Sequence, residues 1–267
     1  MRQLLSAALI CAIFGPAWAH EFWISPEDYT VDPGTRIKAE LRVGSEFSGA
    51  GYAYLPKRTS RFELVQDGSV TPVEPRIGDR PALNVDAAED GLVVVVHETA
   101  DSDLTYDDWE TFTRFFTHKD LTGFPQVHYD RGLPEDPVKE VYRRYAKSLI
   151  AVGDGAGQDS PTGLKIEIVA RTNPYTDDLL EGMTVEVLLE GAPRVDTQVE
   201  VFDRAPNDLI DIRYYRTDAQ GQAVFPVEPG HEYMVDSVAM SATDNDDPQA
   251  GPVWRSIWAN LTFAVPD

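Results

Sequence analysis

Arg36 to Val43 reads RIKAELRV, with Ile37, Ala39, Leu41 and Val43 on one face and Arg36, Lys38, Glu40 and Arg42 on the other. Alternation with a period of two marks a half-buried strand. The turn signal Asp32-Pro33-Gly34 precedes it, and further strands are expected at Arg61 to Gln66 and Leu92 to His97, with Pro- and Gly-rich turns between them. The rhythm predicts an antiparallel sandwich with few helices.

The same pattern dominates the second half. Leu164 to Ala170 (LKIEIVA) reads as the last strand of a first unit, and Asn173-Pro174-Tyr175 as the join. Strands are expected at Met183 to Glu190, Gln198 to Asp203, Ile210 to Thr217, Ala223 to Val227, Glu232 to Val238 and Ile257 to Val265. Thr217-Asp218-Ala219-Gln220-Gly221 reads as a hairpin turn, and this half resembles the transthyretin-like or carboxypeptidase-regulatory-like sandwich. The fold expectation is therefore mainly β: two linked immunoglobulin-like or transthyretin-like β-sandwich domains over 20–172 and 173–267. The sequon Asn260-Leu261-Thr262 falls inside an expected strand and reads as chance.

The middle of the chain breaks the pattern. Thr105 to Lys119 spaces Trp109, Phe112 and Phe116 at helical intervals, with Asp107, Asp108 and Glu110 in the favourable first turn. Asp136-Pro137 reads as an N-cap and first position of a second helix through Leu149, with Val138, Val141, Tyr142 and Tyr145 along one side. A helical pair inserted in the first domain, at about 105–149, is the expectation. Arg143, Arg144 and Lys147 then fall on a solvated helix face. Gly153 to Gly163 contains Asp154 and Asp159 but lacks the spacing and closing Glu of a calcium loop, and reads as a turn.

At the start, Arg2, the apolar run Leu4 to Phe14, the Gly15-Pro16 break and Ala17-x-Ala19 form a secretory signal pattern. A signal peptide over 1–19, cleaved after Ala19, and a periplasmic location are expected. Cys11 lies mid-run behind Ile10, which disfavours lipidation, and its removal leaves no cysteine for a disulfide or a thiolate ligand. No later stretch is apolar for long enough to span a membrane, so no direct insertion of the mature chain is expected. The net charge is -22, from 23 basic and 45 acidic residues. Such a surface repels phosphate backbones, so nucleic acid is not an expected partner.

Chemistry is confined to few residues. The mature chain has His20, His97, His118, His128 and His231, without H-E-x-x-H, G-x-S-x-G, a P-loop or a dinucleotide fingerprint. A binding protein is therefore expected before an enzyme. Cleavage after Ala19 would make His20 the first residue, and its free amine and imidazole together chelate a divalent transition metal. The amine titrates at about 8, so deprotonating it at neutral pH costs about 1 to 2 kcal/mol. Phe22 and Trp23 would pin the terminus. His128, in the loop-like FPQVHYDRG, is the expected partner, ahead of His97 at the end of an apolar strand and His231 after a turn. Nitrogen donors suit nickel, cobalt, copper and zinc.

The stretches AHEFW (Ala19 to Trp23), LRVGSEF (Leu41 to Phe47), LTYDDWETF (Leu104 to Phe112), RGLPEDPVKEVYRRYAKSLIAVGDG (Arg131 to Gly155) and WRSIWANLTF (Trp254 to Phe263) carry a resemblance over the whole mature chain. It is to a bacterial exported family of unknown function, described as the periplasmic component of a cobalt/nickel uptake system. The resemblance implies two β-sandwich domains, a metal-holding amino-terminal histidine and a membrane metal importer as partner. The family pattern has a second histidine where Ala239 stands here.

The functional expectation is a periplasmic transition-metal-binding protein for nickel or cobalt, with copper as the alternative ion, serving uptake or buffering. His20 and His128 would be its ligands, with Glu21, His97 or His231 filling remaining positions. Two other readings stay open: a copper-dependent oxidative enzyme with a histidine brace, and a scaffold or adhesion sandwich without metal.

Overall fold

The computed structural model describes residues 20–87 and 89–267; the expected signal segment, its Ala19 cleavage site and Cys11 lie outside the described residues. The chain opens with β1 (Glu21–Pro26), β2 (Thr30–Val31), β3 (Arg36–Ser45) and β4 (Ser48–Tyr52). A 3-10 turn (Pro56–Arg58) leads into β5 (Thr59–Gln66), β6 (Ser69–Pro72), β7 (Leu83–Asp86), β8 (Gly91–Thr99) and β9 (Ser102–Tyr106). Helices α1 (Trp109–His118) and α2 (Phe124–Asp130) precede the longest strand, β10 (Val138–Val152). Then come β11 (Ile166–Ala170), β12 (Met183–Leu189), β13 (Ala192–Pro193), β14 (Gln198–Arg204), β15 (Ile210–Arg216), β16 (Gln222–Phe225), β17 (Glu232–Ala242) and β18 (Trp254–Ala264).

The protein is mainly β and built as a sandwich, but its two sandwiches share a sheet. A ten-stranded central sheet runs β15-β14-β17-β18-β10-β8-β5-β6, with β2 and β9 also on β10. Its centre is the parallel pair β10 and β18, from Glu140 opposite Trp254 to Ser148 opposite Thr262. This pair crosses the expected domain division at 172/173. The sheet of β1, β3, β4 and β7 covers one face, where Phe22, Ile24, Ile37 and Leu41 pack on Val93, Val95 and Ile150. The sheet of β11, β12, β13 and β16 covers the other, where Ile166, Ile168 and Val185 pack on Val94, Leu149 and Leu261. The run LVVVVH at 92–97 is thus apolar on both sides because β8 is buried on both sides.

Three expectations are corrected. The second helix, predicted over 136–149, is β10: the helical pair is α1 and α2, and α2 lies in the stretch that read as a loop. Charged residues sit inside this two-sided strand, which erased the alternation and left a helix-like spacing. Lys147 is 1% exposed between Asp159 and Glu167, and Glu140, 1% exposed, accepts from Tyr106 Oη at 2.9 Å and from Ser256. Arg143 pairs with Glu98 and Asp101. The strand at 164–170 belongs to the second sandwich, since β11 pairs with β12. The 217–221 turn connects two different sheets, because β15 pairs with β14 and β16 with β12.

Helix α1 forms where its spacing predicts. Asp108 caps it, its carboxylate accepting from Thr111 N at 2.7 Å, and Phe112, Phe115 and Phe116 are buried. Burial of each ring stabilises the docked helix by about 1.5–3 kcal/mol. Lys119, at its C-cap, is thereby delivered to the core.

Candidate functional site

The site begins with the seating of the first described residues. β1 pairs with β3, Glu21 opposite Gly44, and Thr262 Oγ1 donates to Ile24 O at 2.8 Å, tying β1 to the central sheet. The β3-β4 hairpin closes over Trp23 because Gly49 has no side chain. A Cβ there would stand 2.3 Å from Val43 O and 2.8 Å from the Trp23 ring. His20 is held through its backbone: Arg144 Nη2 donates to His20 O at 2.8 Å. Phe22 and Trp23, the residues expected to pin a terminus at His20, are buried, 7% and 1% exposed.

His20 and His97 border one cavity of about 330 Å³ between the first sheet and the central sheet. His97 is buried between Phe22 and Phe62, each 5.1 Å away between ring centroids. Its Nε2 lies 3.2 Å from Thr59 Oγ1, while its Nδ1 is buried with no hydrogen-bond partner among the described residues. Burial pushes the imidazole down to about 3, so it is neutral at physiological pH. With Nε2–H donating to Thr59, Nδ1 presents an unused lone pair. That is the arrangement of a metal-ligating histidine, whose second nitrogen is held by an outer partner.

The other predicted residues lie elsewhere. Successive side chains of a strand point to opposite faces, so Glu21 points away from His20 and Phe22. Its carboxylate is 3.3 Å from Lys119 Nζ, which also contacts Glu200 and Asp236, the latter at 3.1 Å, all buried. Burial pushes Glu21 up to about 7, the Lys119 ammonium working against it, and burial likewise raises Asp236. Burial alone would raise Glu200 too, but His118, 3.1 Å from it, and the hydrogen-bonded Lys119 ammonium outweigh it and hold it low. Glu21 is therefore a partner of Lys119 rather than of His20.

His128 is also corrected. It is fully buried in α2 against Trp109, 4.5 Å between ring centroids. Trp254 Nε1 donates to its Nδ1 at 3.1 Å, and its Nε2 donates to Pro134 O at 3.0 Å. Both ring nitrogens are committed, which leaves no lone pair for a metal. His231 pairs through Nδ1 with Asp203 at 2.6 Å, in the part of the central sheet formed by β14 and β17.

Among the described residues no group of three His, Cys, Asp or Glu side chains is placed to hold a metal. Two imidazoles, those of His20 and His97, border the same cavity. Sequence reasoning missed Arg58, Thr59, Arg144 and Tyr142 on the cavity wall. Reading 138–152 as a strand would have placed Tyr142 and Arg144 on one face.

The fold and cavity define a mainly β sandwich protein with two histidines beside its first strand. The profile of a domain of unknown function, DUF4198, matches residues 17–241, and the chain belongs to that family. No curated protein matches it. Among solved structures it is similar to the D0-D1 domain of Intimin, at 12% identity over 91% of this chain and 97% of that one, with a TM-score of 0.22. It is also similar to a tetra-tandem repeat in the extending region of a large adhesion protein, at 11% identity over 92% of this chain and 49% of that one, with a TM-score of 0.20.

Proposed function

We propose that this is an exported, periplasmic metal-binding protein in which His20, made amino-terminal by cleavage after Ala19, chelates nickel or cobalt, or alternatively copper. The amine and Nδ1 of His20 supply two nitrogens and Nδ1 of His97 the third. The protein serves uptake or buffering of the ion and hands it to a membrane metal importer.

The observation that carries the reading is the unpartnered, buried Nδ1 of His97 on a wall of the cavity that His20 also borders. A buried polar nitrogen without a partner costs about 1–3 kcal/mol, and a bound ion would offset that cost. Because His97 is neutral, the ion displaces no proton there, and the proton released comes from the His20 amine. Three nitrogens from two imidazoles and an amine leave coordination positions open for exchange, as delivery requires.

The test is the intact mass of protein exported with its own signal and purified without a histidine tag, before and after addition of nickel, cobalt and copper. A mass starting at His20 that retains one ion in native spray, and loses it in His20→Ala and His97→Ala, supports the reading. A chain starting elsewhere, or an ion retained by both variants, overturns it.

A further inference from the structure

Beside the two histidines, the wall of the cavity carries Arg58, Arg144, Tyr52 and Ser102. We infer that this wall binds a carboxylate, so that the cargo is a divalent metal ion together with a small organic carboxylate; the inference rests on the metal reading above.

The first observation is the sign of the wall. The chain has 45 acidic residues against 23 basic, yet among the described residues no Asp or Glu borders this cavity, whereas Arg58 and Arg144 do. The second is pairing. Arg61, Arg143, Arg171, Arg204 and Arg255 each lie within salt-bridge distance of a carboxylate. Among the described residues Arg58 and Arg144 lie within salt-bridge distance of no carboxylate; Arg114 and Arg194, away from the cavity, also lack one but donate to Thr111, and to Ser237 and Val238 O, respectively. The guanidinium of Arg144 stacks over Tyr142, 4.4 Å from the ring centroid, gives one N–H to His20 O, and keeps its Nε buried without a partner.

Charge then decides what enters. A dication on three neutral nitrogens would sit beside two guanidiniums with no carboxylate of the described residues on the cavity wall, although Arg144 also feels the buried Glu140 and Asp236 behind it. Like charges in a partly desolvated cavity repel more strongly than in water. A carboxylate removes the conflict: one oxygen takes an open position on the ion while the group accepts from a guanidinium fork, the pairing for which arginine is suited. Tyr52 and Ser102, both hydroxyl-bearing residues, border the same space. A volume of about 330 Å³ is at the lower end of small-molecule sites and exceeds what an ion alone requires.

The experiment is equilibrium dialysis of the processed protein against radiolabelled citrate, with and without nickel, for wild type, Arg58→Gln, Arg58→Lys and His20→Ala. Wild type is expected to retain one citrate per chain when nickel is present. Arg58→Gln should weaken citrate retention at least about tenfold yet still retain nickel from citrate-free buffer, and Arg58→Lys should recover only part of the loss. Citrate that merely strips nickel from wild type, or equal citrate retention in wild type and Arg58→Gln, overturns the carboxylate site and leaves the metal reading standing. Failure of the metal reading has its own signature: nickel is retained under no condition, with or without citrate.

Discussion

The imidazole of His97 lies 5.1 Å from the ring of Phe22, two residues beyond His20, so the buried histidine and the first strand form adjoining walls of one cavity. The contact joins β1 to β8 across the first sandwich. It brings His20 to the same cavity as an imidazole whose Nδ1 has no partner among the described residues, a pairing the sequence does not announce.

His97 and His128 should separate binding from stability. His97→Ala is expected to weaken nickel binding by at least about tenfold. His128→Ala removes a ring from an aromatic cluster and two hydrogen bonds, and should cost about 3 kcal/mol of stability with metal affinity unchanged. Titration calorimetry and urea unfolding of both variants check this, and a loss of nickel only in His128→Ala would reverse the assignment.

Glu140 should set part of the pH dependence of stability. Burial raises its carboxyl from 4.5 to about 7, against hydrogen bonds from Ser256 and Tyr106. Between those values the folded chain holds a proton that the unfolded chain has released, so stability falls as pH rises through this window. Glu140→Gln is expected to gain roughly 2–3 kcal/mol at pH 8 and little at pH 4. Urea midpoints at both values decide it, and equal effects at the two would contradict the account.

Lys119 holds three buried carboxylates together. Lys119→Ala leaves Glu21, Glu200 and Asp236 without their cation, at an expected cost of about 3–5 kcal/mol near neutrality. The loss should shrink on acidification, as Glu21 and Asp236, both raised by burial, take up protons. Denaturation at pH 5 and pH 8 measures the difference; a larger loss at pH 5 would count against the cluster as described.

Gly49 should be intolerant of substitution. A methyl group there meets Val43 O and the Trp23 ring, so Gly49→Ala is expected to destabilise by about 1–3 kcal/mol. Thermal unfolding tests this against Gly34→Ala, whose Cβ meets nothing within 4 Å but whose φ of +80° is strained for alanine. An unchanged melting temperature in Gly49→Ala would show that the hairpin does not close as tightly as described.

Strands with one wet face were legible in the sequence, as RIKAELRV shows, and so was α1, whose cap and three buried phenylalanines agree locally. β10 was not. Its interior Glu140 is satisfied by the hydroxyls of Tyr106 and Ser256 and its Lys147 by the carboxylates of Asp159 and Glu167, all outside the strand, and a local pattern contains none of that information. The same limit hid the site. His20 stood out through its position beside the expected signal, whereas His97 gained its interest from Phe22, Phe62 and Thr59, which only folding gathers. His128 looked available because its helix and its indole donor were invisible locally.

The most direct test of the central claim is anomalous diffraction from crystals of the processed protein loaded with nickel. The account predicts a single strong peak bonded to the His20 amine, His20 Nδ1 and His97 Nδ1, at about 2.0–2.1 Å from each, the usual reach of a nitrogen donor. A peak at His128 or His231, or none near His20, would contradict it.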